Sequence, residues 1–168
     1  MVFPEGFPRV GLVGIGNTLA GDDGAGVVAV SLLREACGED PRLFFHFLDG
    51  DLFALSEVLG RAPRFLVVDA VLGDPPGRIV RRAPTPTRLA PSFHQADALQ
   101  VVATLRELAL VDPFPEVELW GVTIRPPRDL SESLSPPVEA AVRRLARRLK
   151  ARLDDLLNRG EEVRDTGR

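Results

Sequence analysis

The chain has 168 residues, 45% hydrophobic and 27% charged, which suits one domain with a full core and excludes global disorder. A net charge of −3 supplies no basic surface for nucleic acid, and no run of about 18 apolar residues is present to span a membrane. The lone cysteine, Cys37, can form neither an internal disulfide nor a thiolate zinc site, and Met1 to Arg9 lacks the basic and apolar regions of a secretory signal. A cytoplasmic protein is expected.

In chain order, Val10 to Ile15 is an apolar run that leads into a glycine-rich segment, Gly14-Ile-Gly-Asn-Thr-Leu-Ala-Gly-Asp-Asp-Gly-Ala-Gly26. Strand, loop and helix is the natural reading, with Asp22 or Asp23 as helix cap and an end near Gly38. Leu43 to Leu48 reads as a strand and Asp49-Gly50-Asp51 as the turn after it. Leu52, Leu55 and Leu59 mark one face of a short helix. Phe65 to Val68 is a continuous apolar run closed by Asp69, as in a strand buried on both faces of a parallel sheet.

The proline- and glycine-rich stretch Leu72 to Pro91 leaves room for one edge strand, Arg78 to Arg82. Ser92-Phe-His-Gln95 then introduces a helix with Ala98, Val101, Val102, Leu105 and Leu108 on its apolar face. Val117 to Ile124 is a further strand. Pro136 and Pro137 open a last helix with a buried stripe from Val138 to Leu153, while Arg143, Arg144, Arg147 and Arg148 face solvent. The expected organisation is one α/β domain over residues 1–157 with a frayed polar tail over 158–168. The alternation predicts a three-layer α/β/α sandwich, mainly parallel with an antiparallel edge strand.

A glycine-rich loop between strand and helix first suggests a phosphate site, because helix N-termini present free N–H groups. The residues reject it. The dinucleotide pattern needs glycine where Leu19 stands, and a P-loop needs lysine where the sequence has Asp22 and Asp23. Two carboxylates repel an anion and favour a cation, although on local sequence they serve equally well as helix caps.

Asp23 after the first strand, Asp69 at the end of the central strand and His94 before the next helix lie at loop ends on one side of the sheet. Two carboxylates and an imidazole make a donor set for a divalent transition metal with positions left open. His46, inside an apolar strand, and Cys37, with no base nearby in sequence, read as structural.

The glycine-rich segment resembles the N-terminal signature of the endopeptidases that mature nickel-iron hydrogenases. The match continues in order through Leu48-Asp-Gly50, Val67-Val-Asp-Ala70, Ser92-Phe-His-Gln95, and Gly121-Val122 followed by Leu134-Ser-Pro136, covering about residues 9 to 150. The resemblance implies that Asp23, Asp69 and His94 form both the nickel site and the catalytic site, Asp23 standing where some relatives carry glutamate. It implies an endopeptidase that removes the C-terminal extension of a hydrogenase large-subunit precursor, with nickel arriving in that precursor. A monomer is expected. The sequence departs from the family pattern at Asp51, where a second glycine is common, and in the proline- and arginine-rich stretch Ile124 to Asp129.

Two other readings compete. A signalling receiver domain also pairs acids after its first strand with one aspartate on its third, but needs a late lysine, and Lys150 sits in the C-terminal helix. A nickel-binding accessory protein that docks the precursor without cutting it would use the same three ligands.

Overall fold

The computed structural model describes residues 8–82 and 98–165, with side chains through Asn158. Five strands form one sheet: β1 (Val10–Ile15), β2 (Leu43–Leu48), β3 (Arg64–Leu72), β4 (Ile79–Arg82) and β5 (Glu116–Ile124). Their order is β2-β1-β3-β5-β4, with all neighbours parallel except β4, which runs antiparallel to β5 at the edge. The helices are α1 (Ala25–Cys37), the short α2 (Leu55–Val58), α3 (Ala98–Glu107) and α4 (Pro136–Asp165).

Alternation along each strand sends neighbouring side chains to opposite faces. Val10 and Leu12 of β1, Leu66 and Val68 of β3, and Val122 and Ile124 of β5 pack beneath α1 and α4. Val13, Ile15, Phe65, Val67, Val117 and Leu119 form the second core, with Leu55, Leu59 and the apolar side of α3. This is the three-layer α/β/α sandwich that the sequence predicts. All six residues of β1 are buried, because it has a strand on either side and a core on either face.

Several boundaries differ from expectation. β3 does not stop at Asp69; it pairs with β5 through Leu72↔Ile124, whereas its pairing with β1 ends at Gly14↔Val68. Asp69 is thus the first β3 residue beyond the β1 ladder. α3 ends at Glu107 and the chain turns away through Ala109, at φ 49°, so Leu108 is 62% exposed rather than part of the buried stripe. The helical backbone of α4 continues to Asp165, into the segment expected to be a tail. Neither Asp22 nor Asp23 caps α1, whose N-cap is Gly24 with no side-chain hydrogen bond.

Candidate functional site

β1 connects to β2 on one side of the sheet, while β3 lies on its other side. The strand order therefore reverses between β1 and β3, and in open α/β sheets the crevice outside the carboxyl ends at such a reversal is where ligands bind. Asp23 lies in a 3-10 turn, Gly21–Gly24, between β1 and α1, and this turn approaches β3. Asp69 lies on β3 just past its last pairing with β1. Asp69 shares its face with Phe65 and Val67, the face that α3 covers.

Two glycines let the chain close over this crevice. A Cβ on Gly26 would lie 2.3 Å from the Ile15 carbonyl oxygen and 2.4 Å from that of Val68, so only glycine lets the start of α1 settle onto the ends of β1 and β3. Gly16 has φ +140°, and a Cβ there would lie 1.9 Å from the carbonyl oxygen of Asp23. The loop folds back on itself through that contact.

The adjacent acids have different work. Asp22 accepts from the Ser135 N–H at 2.6 Å and the Ser135 hydroxyl at 2.8 Å, tying the loop to the residue before α4. Its carboxylate is occupied in structure. Asp23 accepts at Oδ2 from the Asn17 N–H at 3.1 Å and is half-buried, so its carboxylate is oriented from within its own loop. Asn17 is in turn fixed by its side chain, whose Oδ1 accepts from the Leu19 N–H at 2.8 Å, an Asx turn.

Sequence reasoning passes over both Asn17 and Ser135. The Gly-Asn step is a turn signal, and serine before Pro136-Pro137 has the form of a helix N-cap, its carbonyl accepting the Glu139 N–H at 2.8 Å. The partner each residue meets is beyond local pattern. His94 lies outside the described residues, as does the rest of Ser92 to Gln95. In sequence it precedes Ala98, where the described part of α3 begins on the Asp69 face of the sheet.

His46 stacks on Phe44 with ring centroids 5.9 Å apart, within β2. Cys37 packs partly buried at the end of α1, where burial raises its thiol above the ordinary range.

The fold has known counterparts. The chain superposes with a TM-score of 0.67 on the NiFe hydrogenase maturation protease HycI from Thermococcus kodakarensis KOD1, at 22% identity, over 88% of this chain and 93% of that one. With the hydrogenase maturating endopeptidase HybD from E. coli the TM-score is 0.59 at 26% identity, again over 88% and 93%. The chain resembles the hydrogenase maturation proteases. A third maturation protease, HybD from Thermococcus kodakarensis, matches with a TM-score of 0.62 and 24% identity over 85% of this chain and 97% of its own. No family model and no curated protein sequence matches the chain. Because 93–97% of each of these maturation proteases is covered, the resemblance extends over a whole protease domain.

Proposed function

We propose that this protein is the endopeptidase that removes the C-terminal extension of a nickel-loaded hydrogenase large-subunit precursor in the cytoplasm. The observation that carries this reading is the position of Asp23 and Asp69 at the β1–β3 reversal of a fold shared with hydrogenase maturation proteases.

The donor chemistry suits the task. Asp23 and Asp69 supply carboxylate oxygens and His94 an imidazole nitrogen, a set that suits nickel and other divalent transition metals and leaves positions open for groups carried by the substrate. The nickel belongs to the precursor, so binding it here selects loaded precursor and brings the adjacent peptide bond to the carboxylates. Hydrolysis adds water across that bond: the amide C–N bond breaks, the acyl carbon gains the hydroxyl, and the leaving nitrogen gains a proton. Carboxylates and imidazole are the groups that can take and return such a proton near neutral pH. The resting enzyme needs no metal of its own in this scheme.

The test is the intact mass of a nickel-loaded large-subunit precursor from the same organism, before and after incubation with wild type, Asp23→Asn or Asp69→Asn. A shortened product with wild type, and a rate at least about a hundredfold lower with either variant, is expected. Unchanged mass with wild type and verified nickel loading overturns the endopeptidase reading in favour of a non-cleaving accessory role.

A further inference from the structure

Asp23 has two carboxylate oxygens, and its loop uses one of them. Oδ2 accepts from the Asn17 N–H, whereas Oδ1 has no hydrogen bond among the described residues. The bond to Oδ2 is one link in a closed circuit. The Asn17 carbonyl accepts from the Ala20 N–H at 3.0 Å, the Ala20 carbonyl accepts from the Asp23 N–H at 3.3 Å, and the Asp23 carboxylate returns to the Asn17 N–H at 3.1 Å. The turn at Asn17 therefore cannot shift without moving the carboxylate.

The side chain of Asn17 sets that turn. Its Oδ1 accepts from the Leu19 N–H at 2.8 Å, inside the span closed by the Asn17 carbonyl and the Ala20 N–H. Packing holds the turn against Asp23 as well: a Cβ on Gly24, the next residue, would lie 2.9 Å from Cα of Thr18. On its other side the loop is pinned by the segment after β5, where the Ser131 N–H donates to the Leu19 carbonyl at 2.9 Å and the Gly21 N–H to the Ser131 carbonyl at 2.6 Å.

Residue type matters here as much as place. An aspartate at this position would close the same turn but add a third negative charge beside Asp22 and Asp23, and an alanine would offer no acceptor at all. Asparagine supplies a carbonyl oxygen without a charge.

We infer that Asn17 is the positioning residue of the candidate site: its side chain fixes the turn whose N–H holds Asp23 by Oδ2, which leaves Oδ1 for a divalent cation carried by the substrate. The inference rests on the reading of Asp23 as a ligand in the proposed endopeptidase. Asn17 itself touches neither metal nor peptide; it acts through Asp23. Losing a group that orients a ligand lowers metal affinity about 10–100-fold, with the ligands themselves still in place.

The deciding experiment measures calorimetrically the binding of Ni2+ alone to the full chain, for wild type, Asn17→Ala and Asn17→Ser, with the thermal unfolding of each recorded. Serine is the conservative replacement, because its hydroxyl accepts the same N–H, more weakly, and carries no charge. Should Asn17→Ala fail to fold, Asn17→Gly takes its place, since glycine also lacks the acceptor and accommodates any turn backbone. At least about tenfold weaker Ni2+ binding without the acceptor, and recovery to within about threefold of wild type with serine, is expected. A purely structural asparagine would lower the unfolding temperature and leave Ni2+ affinity unchanged. Equal affinity in wild type and the acceptor-less variant, including equal failure to bind, overturns the assignment, and so does a serine variant as weak as the acceptor-less one. Cleavage of nickel-loaded precursor by wild type is scored separately, so an unchanged precursor mass removes the endopeptidase reading while the Ni2+ affinities still decide the role of Asn17.

Discussion

At the scale of single residues, two neighbouring aspartates separate by what they touch. As helix caps Asp22 and Asp23 are indistinguishable by local sequence. In the fold Asp22 bonds both the N–H and hydroxyl of Ser135, more than a hundred positions away, while Asp23 takes one N–H from its own loop. No local pattern encodes the first contact, because it exists only after α4 has packed against α1. Replacing Asp22 by alanine removes two charge-assisted hydrogen bonds and leaves the start of α4 without its tether. We expect Asp22→Ala to destabilise the fold by roughly 1–3 kcal/mol. Denaturant unfolding gives the number, and a variant within about 0.3 kcal/mol of wild type would show the tether to be idle.

At the scale of elements, the apolar runs are legible because burial on both faces leaves a continuous signal. β1 and β2 have the bounds that Val10–Ile15 and Leu43–Leu48 announce. β3 runs past Asp69 because its later residues bond β5, and Asp69 looks like an end only to a reader following hydrophobicity. Polar residues in strands are similarly silent. Glu118 of β5 is 8% exposed, and its carboxylate bonds Arg152 of α4, with Nε 2.8 Å from Oε1, and pairs with Arg81 of β4 at 3.0 Å. The hydrogen bonds from Arg152 to Glu118 hold its guanidinium above its usual range. These contacts join the sheet edge to the last helix.

The consequence is measurable. Arg152→Ala leaves a nearly buried carboxylate still paired with Arg81, a case between a worthless surface pair and a stranded buried charge. Destabilisation of about 2 kcal/mol is expected in denaturant unfolding. Replacing both partners, as Arg152→Met with Glu118→Leu, removes the charge together with its cation and should recover at least half of that loss. A double variant less stable than Arg152→Ala would contradict this account.

At the scale of the whole molecule, alternation makes the chain order of strands and helices readable, whereas their order in the sheet, which places the candidate site, comes from the strand pairing. Reversal of strand order between β1 and β3 carries Asp23 and Asp69 to one crevice, whereas the loop pairing between Leu19 and Ser131 emerges only from the assembled layers. Those layers are closed by α4. Its buried side chains run from Val138 through Leu145 and Leu149 to Leu153, Leu156 and Leu157, and α4 packs along α1 over one face of the sheet. Ending the chain at Lys150 removes three buried leucines and Arg152, the cation that holds Glu118. At about 1.5–3 kcal/mol for each leucine, the lost burial alone approaches roughly 5–9 kcal/mol. Domains of this size have only about 5–15 kcal/mol in total, so the shortened chain is left at or below the threshold of cooperative folding. We therefore expect it to lose its sharp thermal transition and to bind a hydrophobic dye while keeping much of its far-UV circular dichroism. A shortened chain that melts cooperatively within about 5 °C of the full-length protein would mean that the core closes before Lys150, and that the last turns of α4 do not hold the layers together.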